Sequence, residues 1–274
     1  MGRPSKKLDE TLRQRLRTLT LMRQLMIAHG ADNPHQFADL VSDRTGTFQD
    51  PGKWRANFNG VRPFSAQQLQ LLRKLDATVS VRWTEGPSGL WIALWGDALA
   101  DQLWRHCRIR FSNDGPGVPD GEWIYRQATF FRERFLQEAV RELEGELLLA
   151  EAYGEPLSVR YLSEAIMVYR LCQAVDALAK TCPDAVGPYR CVHLCLGNAG
   201  IQGFTQKLGV HEMIEDEVVG LEVSRLQSDW AHRSAVGIGV DNMDALVEYA
   251  CDPRNLFTDE ERWTALNFEW CPND

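Results

Sequence analysis

Residues 33–76 predict three short helices, because three helix starts in this stretch each carry their own capping residue. Asn33 and Asp50 each precede a proline, and Ser65 begins a Ser-Ala-Gln-Gln run. These side chains accept hydrogen bonds from the N–H groups of a first helical turn, and proline suits the first helical position. Gln36, three residues after its cap, is expected to accept from the N–H of Asn33 in a capping box, and the Ser65 run repeats the device. Starts this close together predict a compact group of helices.

The middle helix, predicted from Pro51 to Asn59, carries the side chains most suited to a partner. Trp54 and Phe58 are four positions apart on one face, which suits them to anchor the helix in a small core. Hydrogen-bond donors lie off that face, at Lys53, Arg55, Asn57 and Asn59. Donors of this kind can reach phosphates and base edges. Gly60 then ends the helix.

The sequence from Trp54 to Ser65 resembles the helix-turn-helix domain of the Cro/phage-repressor type (the XRE-like family). In that family an apolar residue ahead of a glycine anchors the recognition helix, and a basic residue, a proline and a Ser-capped, leucine-rich helix follow. The matching positions are Trp54, Gly60, Arg62, Pro63, Ser65, Leu69 and Leu72. The family usually has a glutamate where this chain has Phe58, and a shorter turn than Val41–Gln49.

The resemblance covers roughly residues 8–76 and implies sequence-specific binding to duplex DNA. Contacts from Arg and Lys to phosphates would set the register, and Lys53, Arg55 and Asn57 would contact base edges. The complete set of predicted DNA-binding residues is Arg3, Lys6, Lys7, Lys53, Arg55, Asn57, Asn59 and Arg62.

Charge is distributed unevenly along the chain. Residues 1–82 hold 14 Lys and Arg against 7 Asp and Glu, whereas the whole chain has a net charge of −8. A basic segment joined to an acidic body indicates that the N-terminal part meets a polyanion. The other interpretation is chance variation of charge among solvated helices.

The N-terminus adds basic residues to this segment. Residues 1–7 contain a Gly-Arg-Pro run and two lysines, which predict either an extended arm in a narrow minor groove or a disordered basic tail. Residues 8–29 predict a long first helix. Three arginines form its solvated or phosphate-facing side, at Arg13, Arg15 and Arg17.

The rest of the chain predicts a larger helical domain, so the expected class is all-α with two domains, 1–80 and 81–274. A run of breakers at Glu85–Gly89 marks the boundary. Long apolar stripes predict helices at 122–152 and 158–180 that form an antiparallel hairpin. Shorter helices are predicted at 189–197, 201–208, 211–230, 242–250 and 259–268.

Composition indicates a reduced cytoplasmic protein without a membrane-spanning segment. The chain is 44% hydrophobic and 25% charged, which is ordinary for a soluble protein. No apolar run approaches the roughly 18 residues that span a bilayer. The 7 cysteines, an odd number, do not suggest a disulfide framework.

Three motifs contain residue types that carry chemistry, and each also has a structural explanation. Three cysteines and a histidine between residues 182 and 195 include zinc-ligand types, although cysteines are common in cores. His211–Glu215 lacks the second histidine of a zinc-protease helix, and Gly197–Gly203 lacks the glycine spacing of a dinucleotide-binding turn. We therefore predict no metal, no cofactor and no catalytic site.

The predicted function is sequence-specific DNA binding by a homodimeric transcriptional regulator that is not an enzyme. The acidic body would dimerise through the helices at 122–152 and 158–180, sense a ligand or contact a protein partner. Two alternatives stay open. The helix-turn-helix is a docking module of an adaptor or inhibitor, or the body is an enzyme that carries its own DNA-binding domain.

Overall fold

The structure, a computed structural model, describes residues 6–97, 103, 129–174, 187–228 and 243–251. All regular secondary structure assigned within these ranges is helical, which confirms the predicted all-α class. The predicted helix at 259–268 and the predicted contact residue Arg3 lie outside the described residues.

Most of the described helices correspond to predicted ones and differ from them mainly at their ends, whereas the helices at 79–85 and 90–95 were not predicted. The N-terminal helices are α1 Lys6–His29, α2 Pro34–Thr45, α3 Pro51–Phe58, α4 Ala66–Leu75, α5 Val79–Glu85 and α6 Leu90–Trp95. A one-turn 3-10 helix, Pro87–Gly89, precedes α6. Further along the chain are α7 Thr129–Tyr153, α8 Val159–Ala174, α9 Pro188–Gly197, α10 Ala199–Lys207, α11 His211–Ser228 and α12 Met243–Cys251.

The chain divides into two compact units. The first contains Met1–Ser88 together with Gly203–Met213, and the second contains Gly89–Gln202 together with Ile214–Asp274. The first unit extends past residue 80 because α5 buries Val79 completely in its core. Its second segment comes from far along the chain, where the sequence contains no signal for an N-terminal partner.

Aromatic rings form the centre of the first unit. Phe37 meets Trp54 edge-on, with 5.3 Å between ring centroids. Phe64 contacts Trp54 at 6.2 Å and Trp83 at 5.8 Å. Aliphatic side chains of α1 complete this core, at Leu21, Met22, Leu25 and Met26. Because Trp54 is 1% exposed, α3 is anchored by the residue that the sequence predicted for this role.

Two of the helix starts form as predicted. Asp50 Oδ1 accepts from the N–H of Gly52 at 2.9 Å, ahead of α3. Ser65 and Gln68 form the reciprocal capping box of α4, in which Ser65 Oγ accepts from Gln68 N–H at 3.2 Å and Gln68 Oε1 accepts from Ser65 N–H at 3.0 Å. These caps satisfy N–H groups that a helix leaves unpaired at its first turn.

The cap of α2 differs from its prediction in one hydrogen bond. Asn33 Oδ1 accepts from the N–H groups of His35 and Gln36, both at 3.0 Å, as expected of a cap. Gln36 Oε1, however, accepts from the N–H of Asp32 at 2.7 Å and not from that of Asn33. The predicted reciprocal box is therefore wrong at this helix, because the glutamine reaches one residue further back.

The end of α2 also departs from the sequence-based expectation. Val41, the start of the predicted long turn, is fully buried in the core, and the helix continues to Thr45. Gly46 then ends it with a left-handed φ of 66°, and its N–H donates to the carbonyl of Ser42 at 2.8 Å. The connection to α3 is accordingly shorter than Val41–Gln49.

The second unit is built around α8, which packs against α6, α7 and α9. Its buried residues are Val159, Leu162, Ser163, Ala165, Ile166, Met167, Val168, Tyr169, Leu171 and Cys172. Arg170 donates to the carbonyl oxygens of Ala93 and Gly96 at 2.6 and 2.5 Å, which pairs carbonyls at the end of α6. The described part of the 158–180 stripe is therefore core, and the dimer contact predicted for this helix stays a prediction.

A buried polar cluster joins α8 to α11 within the second unit. Glu222 is 0% exposed and accepts from the Tyr169 hydroxyl and from Arg225, whose Nε and terminal nitrogen lie 2.9 and 2.5 Å away. Gln173 donates to the Tyr169 hydroxyl at 2.7 Å. Burial, together with the Glu222 charge, raises the pKa of Tyr169 well above its ordinary value. The cluster therefore keeps its phenol protonated and its carboxylate paired.

Candidate nucleic-acid interface

The two faces of α3 differ sharply. Trp54 is buried on the inner face, and Phe58 packs against the same core while partly buried. Lys53, Arg55 and Asn59 are exposed. An apolar face fixed in the core and a donor face in solvent are what a helix needs to hold side chains toward a partner.

Asn57, predicted to contact a base edge, lies instead inside the first unit and is 1% exposed. Its Nδ2 donates to the carbonyl of Arg62 at 2.9 Å, and its Oδ1 accepts from Gln68 Nε2 at 2.6 Å. Because its oxygen and its nitrogen are both bonded within the fold, Asn57 connects α3 to the following turn and to the cap of α4. We therefore remove it from the set of candidate contact residues.

The turn after α3 is held tightly against α1. Gly60 has a φ of +66° and is buried, and a Cβ at this position would lie 3.0 Å from the Leu19 side chain. The N–H groups of Val61 and Arg62 both donate to the carbonyl of Ala56, at 2.9 and 3.2 Å. The turn therefore has a fixed geometry and presents the exposed Arg62 directly after the donor face of α3.

Arg15 joins this surface from α1. The side chain is exposed, and its Nε lies 3.1 Å from the position that a Gly60 Cβ would occupy. Arg15 was recognised in the sequence as one of three solvated or phosphate-facing arginines of α1, but no spacing rule placed it beside the turn after α3. Arg13 and Arg17 are partly buried, and burial lowers the pKa of Arg17.

The predicted N-terminal arm is partly replaced by helix. Lys6 and Lys7 are the first residues of α1, so an extended conformation does not describe them. Arg3 lies outside the described residues. The contacts predicted for these three residues remain predictions.

Two large apolar side chains beside α3 are exposed. Phe48, in the connection before α3, is 84% exposed, and Val61, in the turn after it, is 74% exposed. An isolated exposed apolar residue needs no explanation. Their positions in the chain, shortly before and shortly after α3, nevertheless make them candidates for contact with a partner.

Residues of the motifs considered for metal or enzyme chemistry are buried within the fold. Cys191 and Cys195 are buried residues of α9. His211 is also buried, with its Nδ1 2.8 Å from the hydroxyl of Thr205. Within the described residues, no group of three or more His, Cys, Asp or Glu side chains is placed to hold a metal ion.

The glycine-rich segment Gly197–Gly203 is helical and not a strand followed by a phosphate-binding turn. It spans the last residue of α9, a bend at Asn198 and the first half of α10. Gly200 allows close packing, since a Cβ there would lie 2.5 Å from the carbonyl oxygen of Leu157. The dinucleotide-turn alternative therefore lacks the strand that it requires.

Comparison of the whole chain with protein-family models, with curated proteins and with solved structures found no match in any of the three. Among the described helices, none combines the length with the apolarity that crossing a bilayer requires.

Proposed function

We propose that the first unit binds duplex DNA at particular sequences and that the protein is a transcriptional regulator without catalytic activity of its own. The observation that carries this proposal is the exposed basic surface formed by α3 and its neighbours, at Arg15, Lys53, Arg55, Asn59 and Arg62. The resemblance to the XRE-like helix-turn-helix gives the same assignment to α3. The net positive charge of residues 1–82 supports it further.

The side chains of this surface have distinct proposed roles. Lys53 and Arg55 would contact base edges from α3, where arginine can bind guanine through two hydrogen bonds. Arg62 and Arg15 would contact phosphates from the tightly held turn and from α1, and so fix the position of α3 on the duplex. Asn59, at the end of α3, would donate to a base or a phosphate.

Selection of bound sequences from random duplex DNA by the full-length protein tests the proposal. Specific binding predicts enrichment of a defined motif, because base-edge contacts discriminate by about 1–3 kcal/mol each. The matched control is the Arg55→Ala protein, which is expected to bind but to lose preference at one or two positions of the motif. Recovery of unenriched DNA by the unaltered protein would contradict the proposal.

The proposal extends to a homodimer, because one short recognition helix makes few base contacts and pairing two doubles them. With α8 enclosed in its own unit, the remaining candidate contact is the exposed apolar end of α7, at Leu148, Leu149 and Tyr153. Two recognition helices on one face of the duplex would read half-sites about 10 bp apart, or a multiple of that spacing. Light scattering of Leu149→Glu beside the unaltered protein tests the contact, since a dimer held there should dissociate.

We place the regulator in the cytoplasm. This proposal rests on the described thiols of Cys172 and Cys251, which are free and so favour a reducing compartment.

A second candidate function is docking on another protein, with α3 as part of an adaptor or inhibitor surface. The exposed Phe48 and Val61 favour it, because aromatic and apolar anchors contribute strongly to protein interfaces. The acidic body is a further candidate surface for a protein partner. Phe48→Ala separates the two functions. Protein docking predicts that this substitution greatly weakens binding of the protein partner and leaves DNA affinity unchanged. DNA recognition predicts instead that binding depends on Arg55 and Arg62.

A further inference from the structure

Arg23, a partly buried residue of α1, makes contacts in two directions within the first unit. Its NH1 donates to the carbonyl of Lys207 at 3.3 Å. Its guanidinium carbon lies 5.1 Å from the centroid of the Phe58 ring. Lys207 ends α10 and Phe58 ends α3, so one side chain bridges two helix ends that are remote in the sequence.

The turn after α10 is shaped to receive this arginine. Gly209 has a left-handed φ of +65°, and a Cβ there would lie 2.9 Å from Arg23 NH1 and 3.0 Å from its guanidinium carbon. Leu208 and Val210, on either side of the glycine, are buried. The C-terminal carbonyls of a helix carry partial negative charge, which suits a guanidinium donor.

Hydrogen bonds fix the backbone of the same turn. The N–H groups of Leu208, Gly209 and Val210 donate to carbonyls of α10, at 3.1, 2.8 and 3.1 Å. Immediately after the turn, the Thr205 hydroxyl and His211 Nδ1 lie 2.8 Å apart in a buried contact. The carbonyl that accepts from Arg23 therefore belongs to an ordered segment and not to a chain end that adapts to it.

The other contact of Arg23 bears on the proposed recognition helix. Phe58 is the last residue of α3, next to the exposed Asn59 and the buried Gly60 of the following turn. A cation over an aromatic face is an attractive contact with a defined geometry. It therefore favours the observed position of the end of α3, where the donor face meets Arg62.

We propose that Arg23 is a positioning residue for DNA binding and that residues 203–213 complete the DNA-binding unit. The inference rests on the proposed function, because it concerns the same surface. Along the chain, α10 begins in the second unit and ends in the first, whereas α11 begins in the first and continues into the second.

Linkage supplies a test in the full-length protein. If the Arg23 bridge favours the DNA-binding position of α3, then DNA binding must favour the bridge to the same extent. Saturation with the selected duplex should therefore slow hydrogen exchange at the amides of Leu208, Gly209 and Val210, although these amides lie outside the proposed contact surface. In Arg23→Met the slowing should disappear and DNA affinity should fall about tenfold, equivalent to about 1.4 kcal/mol. Arg23→Lys, which keeps a cation, should recover part of both effects.

A glycine pair separates positioning from loss of stability. Gly209→Ala should displace the Arg23 guanidinium, because the new Cβ would lie within 3.0 Å of it. Gly30→Ala is the matched control, since Gly30 has nearly the same φ, +68°, with no atom within 4 Å of its added Cβ. Both variants carry similar backbone strain, but Gly209→Ala alone should lower DNA affinity and abolish the DNA-dependent slowing.

The possible outcomes distinguish failure of the Arg23 positioning role from failure of the proposed DNA-binding function. Unchanged exchange at residues 208–210 in the DNA-bound protein, or equal affinity of the two glycine variants, overturns the positioning role while DNA binding stands. Absence of specific DNA binding by the unaltered protein overturns the proposed function and the positioning role together. If Arg23→Met does not fold, the glycine pair alone decides.

Discussion

The two units use charged residues in opposite ways. In the first unit, Arg55 and Arg62 are exposed beside a core of aromatic rings. The described buried carboxylates, Glu144 and Glu222, both belong to the second unit. An exposed charge can meet a partner, whereas a buried charge must be satisfied within the fold. The comparison is consistent with our proposal of a DNA-binding surface in the first unit, and it gives the buried charges of the second unit a structural role.

The buried charges of the second unit help to define its packing. Taking Glu222 and Arg225 from water costs free energy that their attraction offsets when geometry and hydrogen bonding are good. Tyr169 and Gln173 supply the additional hydrogen bonds. Losing one member therefore affects this unit more strongly than losing an exposed charge would affect the first unit.

The largest effect is expected from Trp54→Ala. Removing a fully buried aromatic residue should destabilise the first unit by about 3–5 kcal/mol and leave the second unit unchanged. Urea unfolding followed by hydrogen exchange in each unit measures both parts. A variant that folds normally but no longer binds DNA would invert our assignment of the two faces of α3.

Glu222→Gln should destabilise the second unit by about 3 kcal/mol, because Arg225 then faces a neutral partner in a buried site. Asp216→Asn, on the same helix but exposed, is the control and should change stability little. The same unfolding measurement applies. Equal losses of unfolding free energy from the two substitutions would show that burial of Glu222 does not make it more important for stability than an exposed carboxylate.

Arg55→Ala should leave the stability of both units unchanged and weaken specific DNA binding by about 1–3 kcal/mol. Arg160→Ala, an exposed arginine of the second unit, is the matched control and should bind as the unaltered protein does. Titration of both variants with the selected duplex provides the comparison. Equal losses in the two variants would mean that charge alone, and not the position of α3, determines affinity.

The smallest effect is a difference in pH dependence between the units. Hydrogen bonds from the hydroxyl and the N–H of Thr78, at 2.6 and 2.8 Å, lower the pKa of Asp76 in the first unit. Burial raises the pKa of Glu144 in the second. A carboxyl group whose pKa is lowered by folding stabilises the fold when the pH is above its pKa in the unfolded chain, which is about 4. That stability is lost as the pH falls through the lower pKa of the folded state. A raised carboxyl pKa has the reverse effect, since its contribution is present in acid and is lost as pH rises.

Acidification from about pH 7 to about pH 3 should therefore weaken the first unit relative to the second, because the Asp76 contribution is lost mainly below its unfolded pKa of about 4. Asp76→Asn should remove part of this dependence in the first unit, and Glu144→Gln should stabilise the second unit at neutral pH. Unfolding of each unit across this range measures the difference. Parallel pH profiles in the unaltered protein would contradict it.

Local features of this fold were predictable from the sequence, whereas contacts between distant segments were not. The caps at Asp50 and Ser65 depend on neighbouring residues, and they form as the sequence predicts. Asn57 was predicted to be exposed because helical spacing places it off the apolar face of α3. The same spacing does not reveal that the Arg62 carbonyl and the Gln68 side chain bind its amide inside the fold. The placement of Arg15 beside Gly60 depends on how α1 crosses the turn, which no local pattern encodes.

The long apolar stripes are a second example of a feature whose tertiary role the sequence does not determine. The stripe of α8 has the spacing expected of an interface, but the same spacing is produced by a helix enclosed in its own unit. The inclusion of Gly203–Met213 in the first unit likewise follows from tertiary packing across a large sequence separation.

The dependence of DNA affinity on salt tests the central claim most directly. We expect the affinity of the full-length protein for its selected duplex to fall steeply between about 50 and 200 mM salt, because each neutralised phosphate releases counterions. In a protein carrying Arg15→Ala and Arg62→Ala, the slope of log affinity against log salt should decrease by about two, one for each proposed phosphate contact. A slope unchanged by this double substitution, or an affinity of the unaltered protein that is insensitive to salt, would contradict the assignment of this surface to DNA.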